Sequence, residues 1–145
     1  MEVKIKKTRK DAIIPTYAKP GDAGMDLYAV DYEYDASQQN HIYNTGIALE
    51  IPEGYVGLVF PRSSNRKTEC YMTNHVGVID SGYRGTIYVT FKNRDEESLL
   101  AAAPYGIKDK IAQLIIMPYP HIELVEVDKL SETERGEGGH GSTGR

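Results

Sequence analysis

Along much of this chain apolar and polar residues alternate one by one, and a period of two marks a strand with one buried face. The segment TIYVTFK, from Thr86 to Lys92, is the clearest case. Ile87, Val89 and Phe91 fall on one side of it, and Thr86, Tyr88, Thr90 and Lys92 on the other. The same pattern predicts strands in VKIK near the start, IALEI before Pro52, YVGLVF from Tyr55, IAQLIIM from Ile111 and IELVEV from Ile122. Turn segments rich in glycine and proline separate them: KPGDAG, PEGY, DSGYRG and PYGIKD. Short strands at this density predict an all-β fold, a sandwich, barrel or jelly roll. Helical spacing is rare. DEESLLAAAP reads equally as a helical turn or two ended by Pro104 or as an irregular loop, and a second short helical turn is expected after PRSS. No repeat of solenoid period is present. Hydrophobic residues vanish from Ser131 onward, so the expected body is 1–130 with a tail at 131–145.

Composition narrows the function classes. The 145 residues suit one domain, and 40% hydrophobic with 26% charged residues is ordinary for a soluble globular protein. A net charge of -4 weighs against general nucleic-acid binding, which needs a positive surface, so a phosphate ligand would have to meet a local patch. Five of the first ten residues are Lys or Arg. They read best as Lys4, Lys6 and Lys7 guarding an exposed strand edge rather than as a nucleic-acid arm. The single cysteine, Cys70, cannot close an internal disulfide, which fits a reducing, cytoplasmic setting. The longest apolar stretch, Ile111 to Met117, is interrupted by Gln113 and is far too short to span a membrane. The opening MEVKIKKTRK lacks the apolar segment of a signal peptide, so neither export nor a membrane partner is expected.

Four stretches carry candidate chemistry. FPRSSNRKT, from Phe60, gathers Arg62, Ser63, Ser64 and further cations at a strand end; a helical turn there would aim amide dipoles at an anion. Taken alone it reads first as a serine cap on a short helix with solvated cations. In NHVGVIDSGYRGT, from Asn74, the residues Val76, Val78 and Ile79 are expected in the core, and Asp80 stands where the strand gives way to a turn. Asp80 is either a partner of turn amides or a general base at a cleft edge, and Tyr83 offers a flat face for a ring or sugar. In PGDAGMDLYA, Asp26 sits between Met25 and Leu27, and a polar side chain in an apolar run has either a partner or a job. Gln113 in IAQLII poses the same question. The tail RGEGGHGSTG is half glycine and on composition alone is a disordered end. His41, His75, His121 and His140 lack ligand spacing, which argues against zinc, and no nucleophile elbow, Walker motif or dinucleotide turn is present.

In this order PGDAGMDLYA, PRSSNRK, NHVGVIDSGYRG, KDKIAQLI and RGEGGHGSTG resemble the five motifs of the trimeric, all-β dUTP diphosphatase family, covering Pro20 to Gly144. The resemblance implies a jelly-roll subunit, a homotrimer whose sites are shared between chains, and hydrolysis of dUTP to dUMP and diphosphate. That reaction keeps uracil out of DNA and supplies dUMP for dTMP synthesis. It implies that Asp80 activates water for in-line attack on the α-phosphorus, and that Gln113 lies near that phosphate. Arg62, Ser63 and the Ser64 amide would grip phosphates, and Mg²⁺ would bridge them, with Asp26 acting on the metal through water. Asn74 and the main chain around Val78, Ile79 and Tyr88 would read uracil, while Tyr83 packs on deoxyribose. The tail would close over a neighbour's site, with Arg135, Gly141, Ser142 and Thr143 on the phosphates and His140 stacking on the base.

Several positions depart from the family pattern. Ser64 and Asn65 stand where motif two usually has Gly-Leu. Lys108 stands where motif four has glycine, so Gly106 is expected to take the special backbone angle instead. His140 replaces the usual phenylalanine, which would make closure sensitive to pH. Two other readings share the fold. A dCTP deaminase would need a glutamate where Thr90 stands. A nucleotide-gated regulatory module would call for an added docking surface, for which 95–103 is the one modest insertion.

Overall fold

The computed structural model describes residues 1–95 and 102–139, so most of DEESLLAAAP, and His140 to Thr143, lie outside the described residues. In chain order the strands are β1 (Lys4–Lys7), β2 (Met25–Tyr28), β3 (Asp31–Asp35), β4 (Asn40–Asn44) and β5 (Ile47–Glu50). They continue with β6 (Tyr55–Pro61), a 3₁₀ helix (Ser63–Lys67), β7 (Cys70–Met72), β8 (Gly77–Ile79), β9 (Tyr88–Asn93) and β10 (Lys110–Pro118). All pairing is antiparallel. One sheet runs β2-β10-β6-β8, a second β3-β4-β9-β7, and β1 pairs with β5. After β5 the chain passes from one four-stranded sheet to the other at every step, the crossing habit of a jelly-roll sandwich. Among the described residues no helix is long and apolar enough to cross a membrane.

Alternation fixes which side chains meet between the sheets. Ile87, Val89 and Phe91 are buried as the period predicts, and they meet Leu27, Val59, Ile111 and Leu114 from the other sheet in one core cluster. Tyr43 completes it, fully buried with its hydroxyl donating to Tyr105 O at 2.8 Å. Strand β1 is exposed along its length and alternates lysine with one isoleucine, the expected guarded edge.

Two expectations fail here, each for a physical reason. Val76 and Val78 are exposed, Val78 to 62%, because β8 is a three-residue edge strand bonded only to β6 and its side chains face a groove. IELVEV forms no strand: Ile122 is 67% exposed and Leu124 89%, since alternation shows only that one face seeks cover, and no strand among the described residues pairs with this segment.

A third correction concerns the turn before β10. Asp109 N donates to Gly106 O at 3.2 Å, and the residue at the third turn position, Lys108, takes φ +71°. Gly106 takes no such angle. Lysine therefore occupies the left-handed conformation that glycine holds without strain. Releasing that strain outweighs the added freedom of the unfolded chain. Lys108→Gly is expected to raise Tm by about 2–4 °C in a thermal melt, with no gain for Lys108→Ala.

Candidate active site

The candidate residues fall into two groups. The first surrounds the join of β2, β10 and β6. Register sets Gln113 opposite both Asp26 and Phe60, two motifs remote in sequence but adjacent across the sheet. The Asp26 carboxylate, only 13% exposed, is gripped on both sides: Arg62 Nε lies 2.9 Å from Oδ1 and Lys110 Nζ 2.7 Å from Oδ2. Asp26 thus has a partner, in fact two. Hydrogen bonding to Asp26, reinforced by its charge, holds the Lys110 ammonium above the ordinary lysine range. Arg62 also donates through Nη1 to Ser64 Oγ and Lys110 O, both at 3.3 Å, while its Nη2 has no partner among the described residues. The guanidinium is fixed at one end and free at the other.

No serine side chain caps the 3₁₀ helix; its N-cap is Arg62, in an extended conformation. Ser63 is exposed and its hydroxyl has no partner among the described residues, so the hydroxyl and the unpaired first-turn amides face outward as donors. Gln113 Nε2 donates to Pro61 O at 3.1 Å, and a methyl group at Gly24 would come within 2.9 Å of Gln113 Oε1. Gly24 is therefore required for the glutamine to lie along the sheet. Neither Lys110 nor Gly24 stands out in the sequence; only the register brings them to this cluster.

The second group lies at the other end of β6. Asn74, Val78, Ile79, Tyr88 and Thr90 line a cavity of about 120 Å³, with Val59 and Val89 among the apolar residues beneath. An apolar cavity of about 150 Å³ accepts a benzene molecule, so this space suits one small ring. No carboxylate lines it, and Thr90 leaves the deaminase reading without its acid. A groove of about 240 Å³ shares Val78, Ile79 and Tyr88 and continues to Tyr83 and Asp80. The Tyr83 hydroxyl donates to Thr86 O at 3.0 Å, fixing the ring over the turn. The Asp80 carbonyl accepts from Tyr83 N at 3.1 Å, yet the exposed Asp80 carboxylate has no partner among the described residues.

These groups do not meet within the chain. Ile79 stands opposite Gly57, and Ala112 opposite Pro61, four residues further along β6 or about 13 Å. Asp80 and Arg62 continue outward from those points in opposite directions. Arg135 joins neither group: its Nε donates to Gly138 O at 3.0 Å within a local turn.

Comparison with known proteins identifies the family. The dUTPase family model matches residues 10–144. The deoxyuridine 5'-triphosphate nucleotidohydrolase of Clostridium kluyveri is 41% identical over 145 residues, covering 99% of each chain. That of Nocardia farcinica is 42% identical over 134 residues, 90% of this chain and 78% of its own. Among solved structures, the Staphylococcus bacteriophage 80alpha dUTPase with dUpNHpp superposes with a TM-score of 0.82 at 28% identity, covering 99% of both chains. With its fold and nearly its whole length matched, the chain belongs to the dUTPase family.

Proposed function

We propose that this protein hydrolyses dUTP to dUMP and diphosphate, and that it works as a homotrimer inside the cell. The observation that carries the reaction is the Asp80 carboxylate, without a partner among the described residues, in a groove continuous with a ring-sized cavity. Uracil enters the cavity, where the Asn74 amide supplies both a donor and an acceptor to its edge. Such matching separates uracil from cytosine, while the close walls around Val78, Ile79 and Tyr88 reject the thymine methyl. Deoxyribose lies on Tyr83, whose fixed ring leaves no space for a 2'-hydroxyl.

Asp80 orients a water molecule and draws its proton as the water oxygen attacks the α-phosphorus in line. The bond from that phosphorus to the bridging oxygen breaks, and diphosphate leaves. A carboxylate is a weak base, so positioning and charge neutralisation supply most of the acceleration. Arg62 Nη2, the Ser63 hydroxyl and the Ser64 amide grip the phosphates. Gln113, lying between Gly24 and Pro61, reaches the α-phosphate.

The distance along β6 supports a site shared between subunits of the trimer. Asp80 and Arg62 serve one triphosphate only if they come from different chains, and a closed homo-oligomer brings unlike ends of one subunit together. The exposed Ile122, Leu124 and Val127 point the same way, since an apolar face of this kind needs a neighbouring subunit to cover it. The intracellular setting rests on Cys70, which is buried as a free thiol.

The donor set fits magnesium only in a particular manner. Among the described residues no three His, Cys, Asp or Glu side chains come together, and both Asp26 oxygens already hold cations. Their remaining lone pairs suit a metal-bound water, as expected for an ion carried mainly by substrate phosphates. When bound, Mg²⁺ neutralises charge on the phosphate chain. Chelation is expected to abolish turnover and added Mg²⁺ to restore it. The Tm of the free protein should not move, which a melt with and without chelator checks.

The reading is tested by diphosphate release with Mg²⁺ from dUTP, dCTP, dTTP and UTP in parallel. Release from dUTP alone is expected. A folded protein that binds dUTP and releases nothing would instead be a nucleotide-gated binding module.

A further inference from the structure

The turn at 80–86 carries both Asp80 and Tyr83, and among the described residues nearly all its hydrogen bonds close within it. Tyr83 N donates to Asp80 O at 3.1 Å, and Arg84 Nη1 donates to Ser81 O at 2.6 Å and Tyr83 O at 3.2 Å. The Tyr83 hydroxyl donates to Thr86 O at 3.0 Å, and its ring lies so close over Gly85 that a methyl group there would overlap it. One bond leaves the turn: Thr86 Oγ1 donates to Thr8 Oγ1 at 2.9 Å, 78 residues earlier in the chain.

Thr8 directly follows β1, in a corner fixed from several sides. Its amide donates to Gly46 O at 2.8 Å. Gly46 takes φ +69°, and a methyl group there would come within 2.9 Å of both Ala12 and Val30, so glycine alone fits. Gly46 N donates to Asn44 Oδ1 at 2.7 Å, and Asn44 Nδ2 to the Tyr88 hydroxyl at 3.3 Å. Beside Thr8, Arg9 pairs with Asp11 at 3.0 Å and with Asp31 at 3.1 Å. Both tyrosines of the groove thus hang from one corner, Tyr83 through Thr86 and Thr8, and Tyr88 through Asn44. Thr8, Asn44 and Gly46 themselves line neither the ring-sized cavity nor the groove.

We infer that Thr8 is a positioning residue for the choice between deoxyribose and ribose: its hydroxyl ties Thr86 to the corner, and Thr86 O holds the Tyr83 ring at the groove. This rests on the reading of the groove as a dUTP site with Tyr83 as its sugar platform. Rejection by exclusion needs a wall that does not yield, because a ring free to shift would admit the hydroxyl it has to reject. Bonds that close within the turn move with the ring and supply no such support. The turn is anchored at its ends, where Ile79 pairs with Gly57 and Ile87 N donates to Ile47 O at 2.9 Å. Between those ends the Thr8 hydroxyl is its one hydrogen-bonded tie to the body among the described residues.

The test compares Thr8→Val and Thr8→Ser with the unmodified protein, reading KM for dUTP and the inhibition constant of UTP as a competitor, beside a thermal melt. Valine keeps the shape and the main-chain bond to Gly46 but removes the hydroxyl, whereas serine keeps the hydroxyl. Thr8→Val should narrow the gap between the two constants about 5-fold by tightening UTP, which is what one net hydrogen bond is worth. Thr8→Ser should keep the gap, and since Thr8 is exposed both variants should hold Tm within about 3 °C. An unchanged gap in Thr8→Val, including a UTP that still fails to compete or a common rise in both constants, would overturn the inference. An equal narrowing in Thr8→Ser would also overturn it, because the hydroxyl would then not be the cause. Both results leave the dUTPase reading standing, whereas no hydrolysis of dUTP by the unmodified protein would overturn that reading and the inference with it.

Discussion

Asp80→Asn is expected to lower kcat for dUTP by about 10³-fold while leaving the fold and nucleotide binding intact. The side chain is exposed and bonds no described residue. The turn it begins hangs on its carbonyl, which accepts from Tyr83 N whatever the side chain. Asparagine keeps the shape but cannot take a proton from water. The stability change should stay within about 0.5 kcal/mol, as for surface substitutions that break no contact. Diphosphate release, a thermal melt and dUpNHpp titration check the three parts. A variant retaining more than about a tenth of the activity would remove Asp80 from the reaction, because a positioned base is worth far more than that.

Deleting 131–145 should have the next largest effect, about 10²-fold on kcat/KM, again with no loss of stability. Among the described residues no hydrogen bond or ion pair ties this segment to the sheets. Gly136 N donates to Thr133 O at 3.1 Å, Gly138 N to Arg135 O at 3.0 Å, and Arg135 Nε back to Gly138 O at 3.0 Å, so the bonds close on themselves. Among the described residues the one ion pair lost across the cut, Lys129 with Glu132, is largely exposed and worth little. Glycine-rich chain loses much freedom when it orders, and only ligand phosphates with well-placed amides offset that loss. Activity in the truncated protein and its Tm are the measurements. Unchanged kcat/KM would detach the tail from the site, and a fall of several degrees in Tm would make it part of the body.

Most of the sandwich is legible in the sequence, and the gaps follow a pattern. β9 alternates strongly and β10 carries the longest apolar run, and both are as expected apart from small shifts at their ends. β3 and β4 escape notice because their buried face is built from Tyr32, His41 and Tyr43, residues whose polar ends mask the period. β7 has three residues and offers no period to count. The misread IELVEV shows the opposite failure: alternation states that one face seeks cover, not which chain supplies it.

At the site, the residue types were readable but their company was not. Asp26 could have been a metal-side acid or a satisfied carboxylate, and only the pairing of β2 with β10 brings Lys110 beside it. Lys108 bears on the same limit, since a missing glycine suggests a remodelled turn, whereas the fold keeps the turn and strains the lysine.

The two-ended arrangement along β6 has a genetic consequence. If each site draws its carboxylate from one chain and its guanidinium from another, a polypeptide lacking Asp80 and one lacking Arg62 are each inactive alone yet complement when they assemble together. Random mixing in equal amounts would leave about one site in four with both groups intact. An organism carrying the two lesions on separate copies would then regain part of the activity that neither copy encodes.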